Sequence, residues 1–93
     1  MTMFVSDATL EPDSYMQITD LSSVVGLGGG NGRVALIQAL NQNVRWRDDG
    51  TDPTTTVGVR LSAGDSIWYL GDLDKIRLIE ETSGAELNVA MYK

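Results

Sequence analysis

The spacing of turn-forming residues constrains this chain more than any other feature. After Asn43 the sequence is broken at Asp48-Asp49-Gly50, Asp52-Pro53, Ala63-Gly64-Asp65, Gly71-Asp72 and Ser83-Gly84. The pieces between are strand-sized, and none makes a convincing long amphipathic helix. Their residue types suit strands. Val44 and Trp46 alternate with Arg45 and Arg47, residues 57–61 resume a strand, and residues 66–70 are aromatic and β-branched. Residues 75–81 alternate again, and Leu87, Val89 and Met91 share one face of a last strand over 86–92. That last strand is either internal to its sheet or an edge used for joining a neighbour.

The first half is less regular. Residues 1–17 have no sustained period, and Pro12-Asp13 suggests a turn, so this stretch reads as an arm or a short edge strand. Residues 18–27 lead into Gly28-Gly29-Gly30-Asn31-Gly32, which suits a hairpin tip or a mobile loop. The apolar run 33–40 fits either a buried strand or two turns of helix by period, and strand is preferred. The expectation is one all-β domain: a small antiparallel β-sandwich or jelly-roll-like barrel over 18–93, with residues 1–17 as an N-terminal arm or edge strand.

With 93 residues there is room for one core, since a second needs at least roughly 50 residues of its own. A chain this short buries only about 60 to 65% of the surface its unfolded form exposes. Cysteine and histidine are both absent, which excludes disulfides, thiolate metal sites and the usual zinc ligands. Association with other copies is the remaining way to widen the margin, so a small homo-oligomer is expected, although many domains of this size fold alone.

Seven basic residues stand against thirteen acidic ones, a net charge of −6. The average field repels nucleic acid and anionic membranes, and neither is expected as a partner. The start of the chain has no basic region and no long apolar run, so neither a signal peptide nor a membrane span is expected.

Familiar catalytic patterns are missing. The glycine run is followed by Arg33-Val34 where a phosphate loop needs Lys and then Ser or Thr, and the dinucleotide fingerprint fails at Asn31 or Arg33. Without histidine there is no Ser-His-Asp triad. Glu80 and Glu81 are strand neighbours that face opposite ways. Asp48, Asp49 and Asp52 surround Gly50 in a manner ordinary for a turn and unlike an EF-hand loop. No enzyme activity and no cofactor are expected. Binding is the function left. Trp46, Trp68 and Tyr69 suit an aromatic groove for a sugar or peptide. Of the neighbours Trp68 and Tyr69, the one facing outward is the first candidate for an interface anchor. Arg45, Arg47, Arg60 and Arg77 form a basic stripe if their strands are adjacent, or pair with acidic residues across a solvated face.

The segment Asn43-Val44-Arg45-Trp46-Arg47-Asp48-Asp49-Gly50-Thr51-Asp52-Pro53-Thr54, followed by Val57-Gly58-Val59-Arg60-Leu61 and Ala63-Gly64-Asp65, resembles small structural proteins of tailed bacteriophages. So does the ending, from Gly71-Asp72-Leu73 through Ile76-Arg77-Leu78-Ile79-Glu80 to Ala85-Glu86-Leu87-Asn88-Val89-Ala90-Met91-Tyr92. The resemblance begins near Val34 and does not include the N-terminal third. It implies a virion component made in the host bacterial cytoplasm: a head decoration or cement protein of β-sandwich type. Such a protein binds the major capsid protein or other virion subunits as a small homo-oligomer, with a trimer first among the possibilities. A neck, tail or fibre-attachment adaptor is the alternative within the virion, and a carbohydrate-binding module the alternative outside it.

Overall fold

The computed structural model describes residues 11–28 and 33–93. These residues form eight strands and no helix: β1 (Pro12–Ile18), β2 (Val25–Gly26), β3 (Val34–Ala39), β4 (Val44–Arg47), β5 (Val59–Leu61), β6 (Ser66–Tyr69), β7 (Arg77–Glu80) and β8 (Leu87–Tyr92). All pairings are antiparallel, in two sheets of four: β1-β8-β3-β6 and β2-β7-β4-β5. The expected all-β sandwich is therefore observed, with a definite connectivity. β1 pairs β8, β2 pairs β7, β3 pairs β6 and β4 pairs β5. Such nesting is what results when one long hairpin, with its tip between β4 and β5, is rolled up on itself. It is the jelly roll, a double-sheet arrangement of two Greek keys.

Burial explains why these residues take this form. β8 alternates strictly, with Leu87, Val89 and Met91 inward and Asn88, Ala90 and Tyr92 outward. The ambiguous run around Val34 is a strand because it lies between β8 and β6 and bonds to both, which settles its backbone hydrogen bonds as no isolated helical turn would. Ile37 of β3, Val89 of β8, and Val44 and Leu78 from the opposite sheet are fully buried in the common core. Leu21, from the β1–β2 connection, closes one end, where its carbonyl accepts from the Glu80 amide at 3.1 Å. Trp46 and Tyr69 meet edge to face at the other, with ring centroids 5.8 Å apart.

Two expectations change. Pro12-Asp13 is not a free turn: β1 starts at Pro12 and its register with β8 shifts between Pro12 and Ser14, because proline cannot donate to a ladder and is tolerated at a strand's start or a bulge. A boundary after Gln17 would cut β1, which belongs to the body as an edge strand of the first sheet; residues 1–10 of the expected arm lie outside the described residues. Gly29 to Gly32, the heart of the segment expected as a hairpin tip or mobile loop, lie outside the described residues; the strands on either side, β2 and β3, belong to different sheets. The last strand is internal, paired with β1 on one side and β3 on the other.

Candidate interaction surface

The pairing register fixes what each sheet shows to solvent. Across the outer side of the first sheet, Tyr15, Ala90, Leu36 and Trp68 stand in one row, and Gln17, Asn88, Gln38 and Ser66 in the next. One row is apolar and aromatic, the other amide and hydroxyl, and none of these side chains is ionised at neutral pH. Tyr15 is 65% exposed. Its hydroxyl donates to Asn88 Oδ1 at 2.7 Å, and Asn88 Nδ2 donates to Gln38 Oε1 at 3.4 Å, so the two rows are stitched together. Trp68 packs against Tyr92 with ring centroids 5.8 Å apart. A shallow concavity of about 190 Å³ lies over this face, lined by Tyr15, Leu36, Gln38, Ser66, Asn88 and Ala90. Of the aromatic neighbours, Trp68 is thus the outward member and Tyr69 the inward one, 6% exposed. The interface role considered for Tyr69 passes to Trp68. Trp46, Trp68 and Tyr69 do not share a groove, because Trp46 and Tyr69 lie between the sheets while Trp68 lies outside them.

The outer side of the second sheet is of opposite character. Arg45 stands directly opposite Arg60, and Arg47 opposite Arg77. The four arginines share one face, as a stripe requires, and they also have the partners that a solvated face requires. Glu81 Oε2 accepts from Arg45 Nε at 2.7 Å and from Arg60 Nε at 2.9 Å. Arg45 Nη1 also donates to the Gly58 carbonyl at 3.0 Å. Arg47 pairs with Asp49, and Arg77 Nη1 donates to the carbonyls of Asp74 and Ile76. The Arg60 guanidinium above all holds the Glu81 carboxyl below the ordinary glutamate range; burial opposes it, and the bonds from Arg45 and Asn43 add to the lowering. Arg47 does the same for Asp49.

The aspartates around Gly50 are not gathered on one point. Asp48 accepts from the Tyr69 hydroxyl at 2.7 Å, and Asp49 turns to Arg47 and to the Thr51 amide. No group of three or more acidic side chains is arranged to hold a metal among the described residues. Burial, and then the bond to Asp48, pushes the Tyr69 phenol well above its usual range. Gly71 makes this packing possible, since a Cβ there would lie 2.6 Å from Tyr69 Cζ and collide with the hydroxyl.

Comparison of the chain with protein-family models, curated proteins and solved structures gives no match in any of the three.

Alternation alone shows that Arg45 and Arg47 share a face. That Gln17, Gln38 and Asn88 stand side by side was not expected from the sequence, because they come from three strands far apart in the chain. The one local sign is that each is a lone amide within an apolar or aromatic stretch.

Proposed function

We propose that this chain is a non-enzymatic structural subunit of a virion, of the head-decoration or cement type, which binds a major capsid shell as a small homo-oligomer. The observation that carries the reading is the uncharged outer face of the first sheet. In a chain where 22% of residues are charged, two complete four-strand rows carry no ionised side chain, and one of them holds Tyr15, Leu36 and Trp68. Depletion of charge with enrichment of aromatics is the composition of interface cores rather than of ordinary surface. The resemblance of residues 34–93 to phage structural proteins supports a virion as the setting, and many repeated contacts over a symmetric shell make a modest single interface sufficient. A neck or tail adaptor would use the same face and differ in copy number per particle.

The test is the solution mass of the full chain by light scattering, alongside Leu36→Glu and a form lacking residues 1–10. The expected result is a closed trimer, unchanged by the deletion and reduced to monomer by Leu36→Glu with its circular dichroism intact. A monomeric parent chain would remove the homo-oligomer from this reading.

A second reading is favoured by one observation. An amide row beside an aromatic row is also the chemistry that holds a neutral sugar, through paired hydrogen bonds and ring stacking. Glycan-array binding lost in both Trp68→Ala and Tyr15→Ala would favour it, and background signal from the parent chain would end it.

A further inference from the structure

We propose that the open edge of β5 receives an extended segment of a protein partner by strand addition, with an acidic side chain of that segment opposite Arg60 and apolar side chains on either side of it. This site is separate from the uncharged face of the first sheet and does not depend on the assembly reading.

β5 is an edge strand. Among the described residues it pairs with β4 alone, and no backbone hydrogen bond outside its own sheet involves Val59, Arg60 or Leu61. Natural edges are guarded by shortness, charge, proline or a bulge. β1, the long edge of the other sheet, has Pro12 and a register shift, whereas β5 has neither; it is guarded by its length of three residues and by the charge of Arg60, which an acidic segment turns into an attraction. Apolar surface collects beside it. Val57 and Val59, which flank Gly58, are 49% and 54% exposed, two of the four large apolar side chains left open among the described residues. A concavity of about 250 Å³, lined by Trp46, Arg47 and Val59 among others, adjoins them.

Charge selects the occupant. Like charges placed directly opposite on neighbouring strands are destabilising, yet Arg45 faces Arg60 and Arg47 faces Arg77. Glu81 brings one negative charge to the first of these pairs. Arg60 meets it through Nε, its terminal amino groups have no partner among the described residues, and its side chain is 49% exposed. A carboxylate arriving at those amino groups would complete the neutralisation in the two-pronged geometry that guanidinium favours. Register then dictates the rest of the segment. A residue added opposite Arg60 points to the same outer face, while its two neighbours point to the inner side, against Val59 and Leu61. The matching pattern is apolar, acidic, apolar. A nucleic-acid backbone fits less well, because the protein is strongly acidic overall and Asp49 and Glu81 stand among the arginines.

The test is a titration of the isotope-labelled full chain with the blocked peptide TTVEVTT, followed by backbone amide shifts. Saturable shifts are expected at Val59, Arg60 and Leu61. The peptide TTVKVTT should bind more weakly by about fivefold or more. Arg60→Gln should lose that preference, and Arg60→Glu should reverse it. Folding of each variant is checked by its amide spectrum, and Arg60→Gln, which adds no like charge beside Glu81, suffices alone. Leu36→Glu should bind the peptide as the parent does, which separates this site from the first sheet. Absence of shifts at β5 with millimolar peptide, equal binding of both peptides, or stronger displacement of the same amides by a short DNA duplex would each overturn the proposal.

Discussion

The hydroxyl of Tyr69 donates a 2.7 Å hydrogen bond to Asp48 and lies 3.3 Å from the Asp72 carbonyl oxygen, so one buried side chain on β6 ties together the connections that follow β4 and β6. Tyr69→Phe keeps the ring against Trp46 and removes that tie. The expected loss is about 1 kcal/mol, read as a lower urea midpoint with an unchanged slope. The fold favours the neutral phenol, so its folded pKa is raised. The associated stability is complete below the unfolded tyrosine value of about 10 and is lost as pH rises from there through the folded value. Tyr69→Phe should lack this alkaline decline, and a parent-like decline in the variant would assign it elsewhere.

Glu81 gives the opposite pH limb. Its folded pKa is lowered, chiefly by Arg60, so its contribution is present above the ordinary glutamate range and disappears as pH falls through the folded value. Thermal melts from pH 7 downward should show Glu81→Gln already destabilised at neutral pH and flatter towards acid than the parent. Adding Arg60→Gln to Glu81→Gln should recover part of the loss, because the facing guanidiniums would no longer repel.

Two glycines form an internal comparison. Gly58 has φ of 137°, and a Cβ there would lie 3.1 Å from the Trp46 carbonyl oxygen and 3.2 Å from Pro53 Cβ. Gly64 has φ of 86° and nothing within 4 Å. Gly64→Ala should cost on the order of 1 kcal/mol for the backbone conformation alone. Gly58→Ala should cost more, since strain and crowding combine, and equal costs in denaturant titrations would show that the neighbours yield freely.

Core truncation should be severe in a domain of this size. Ile37 is fully buried at the centre of β3, and Ile37→Ala is expected to lose about 2–5 kcal/mol. That is a large share of the stability of a small domain, roughly 5–15 kcal/mol. Calorimetry should find the variant unfolded at, or within a few degrees of, physiological temperature.

Strand positions were legible because turn residues and alternation are local. Residues 44–47, 66–69 and 87–92 announce themselves through Val44 and Trp46, through Trp68 and Tyr69, and through the Leu87, Val89, Met91 series. Strand order was not legible, because the partner of Tyr15 is Ala90 and the partner of Arg45 is Arg60, and no local pattern encodes such distant registers. The candidate surfaces divide the same way. The arginines were visible as residues, and their convergence depended on β4 lying between β5 and β7. The neutral face of the first sheet was hidden, since its rows combine residues from four strands. Tyr69 rather than Trp68 turns inward because the hydroxyl finds Asp48 while the ring meets Trp46, a partnership that composition does not reveal.

The nesting of β1 against β8 bears on how the chain matures. β8 sits between β1 and β3, and β1 has no other neighbour among the described residues. On the ribosome, β1 is made early and waits without a pairing partner until Leu87 to Tyr92 have cleared the exit tunnel, while β4 and β5 can already be joined. The first sheet is therefore completed late, when β8 joins β1 to the β3–β6 pair, and during that interval the flanks of β1 and β3 lie open to any other nascent chain of the same kind.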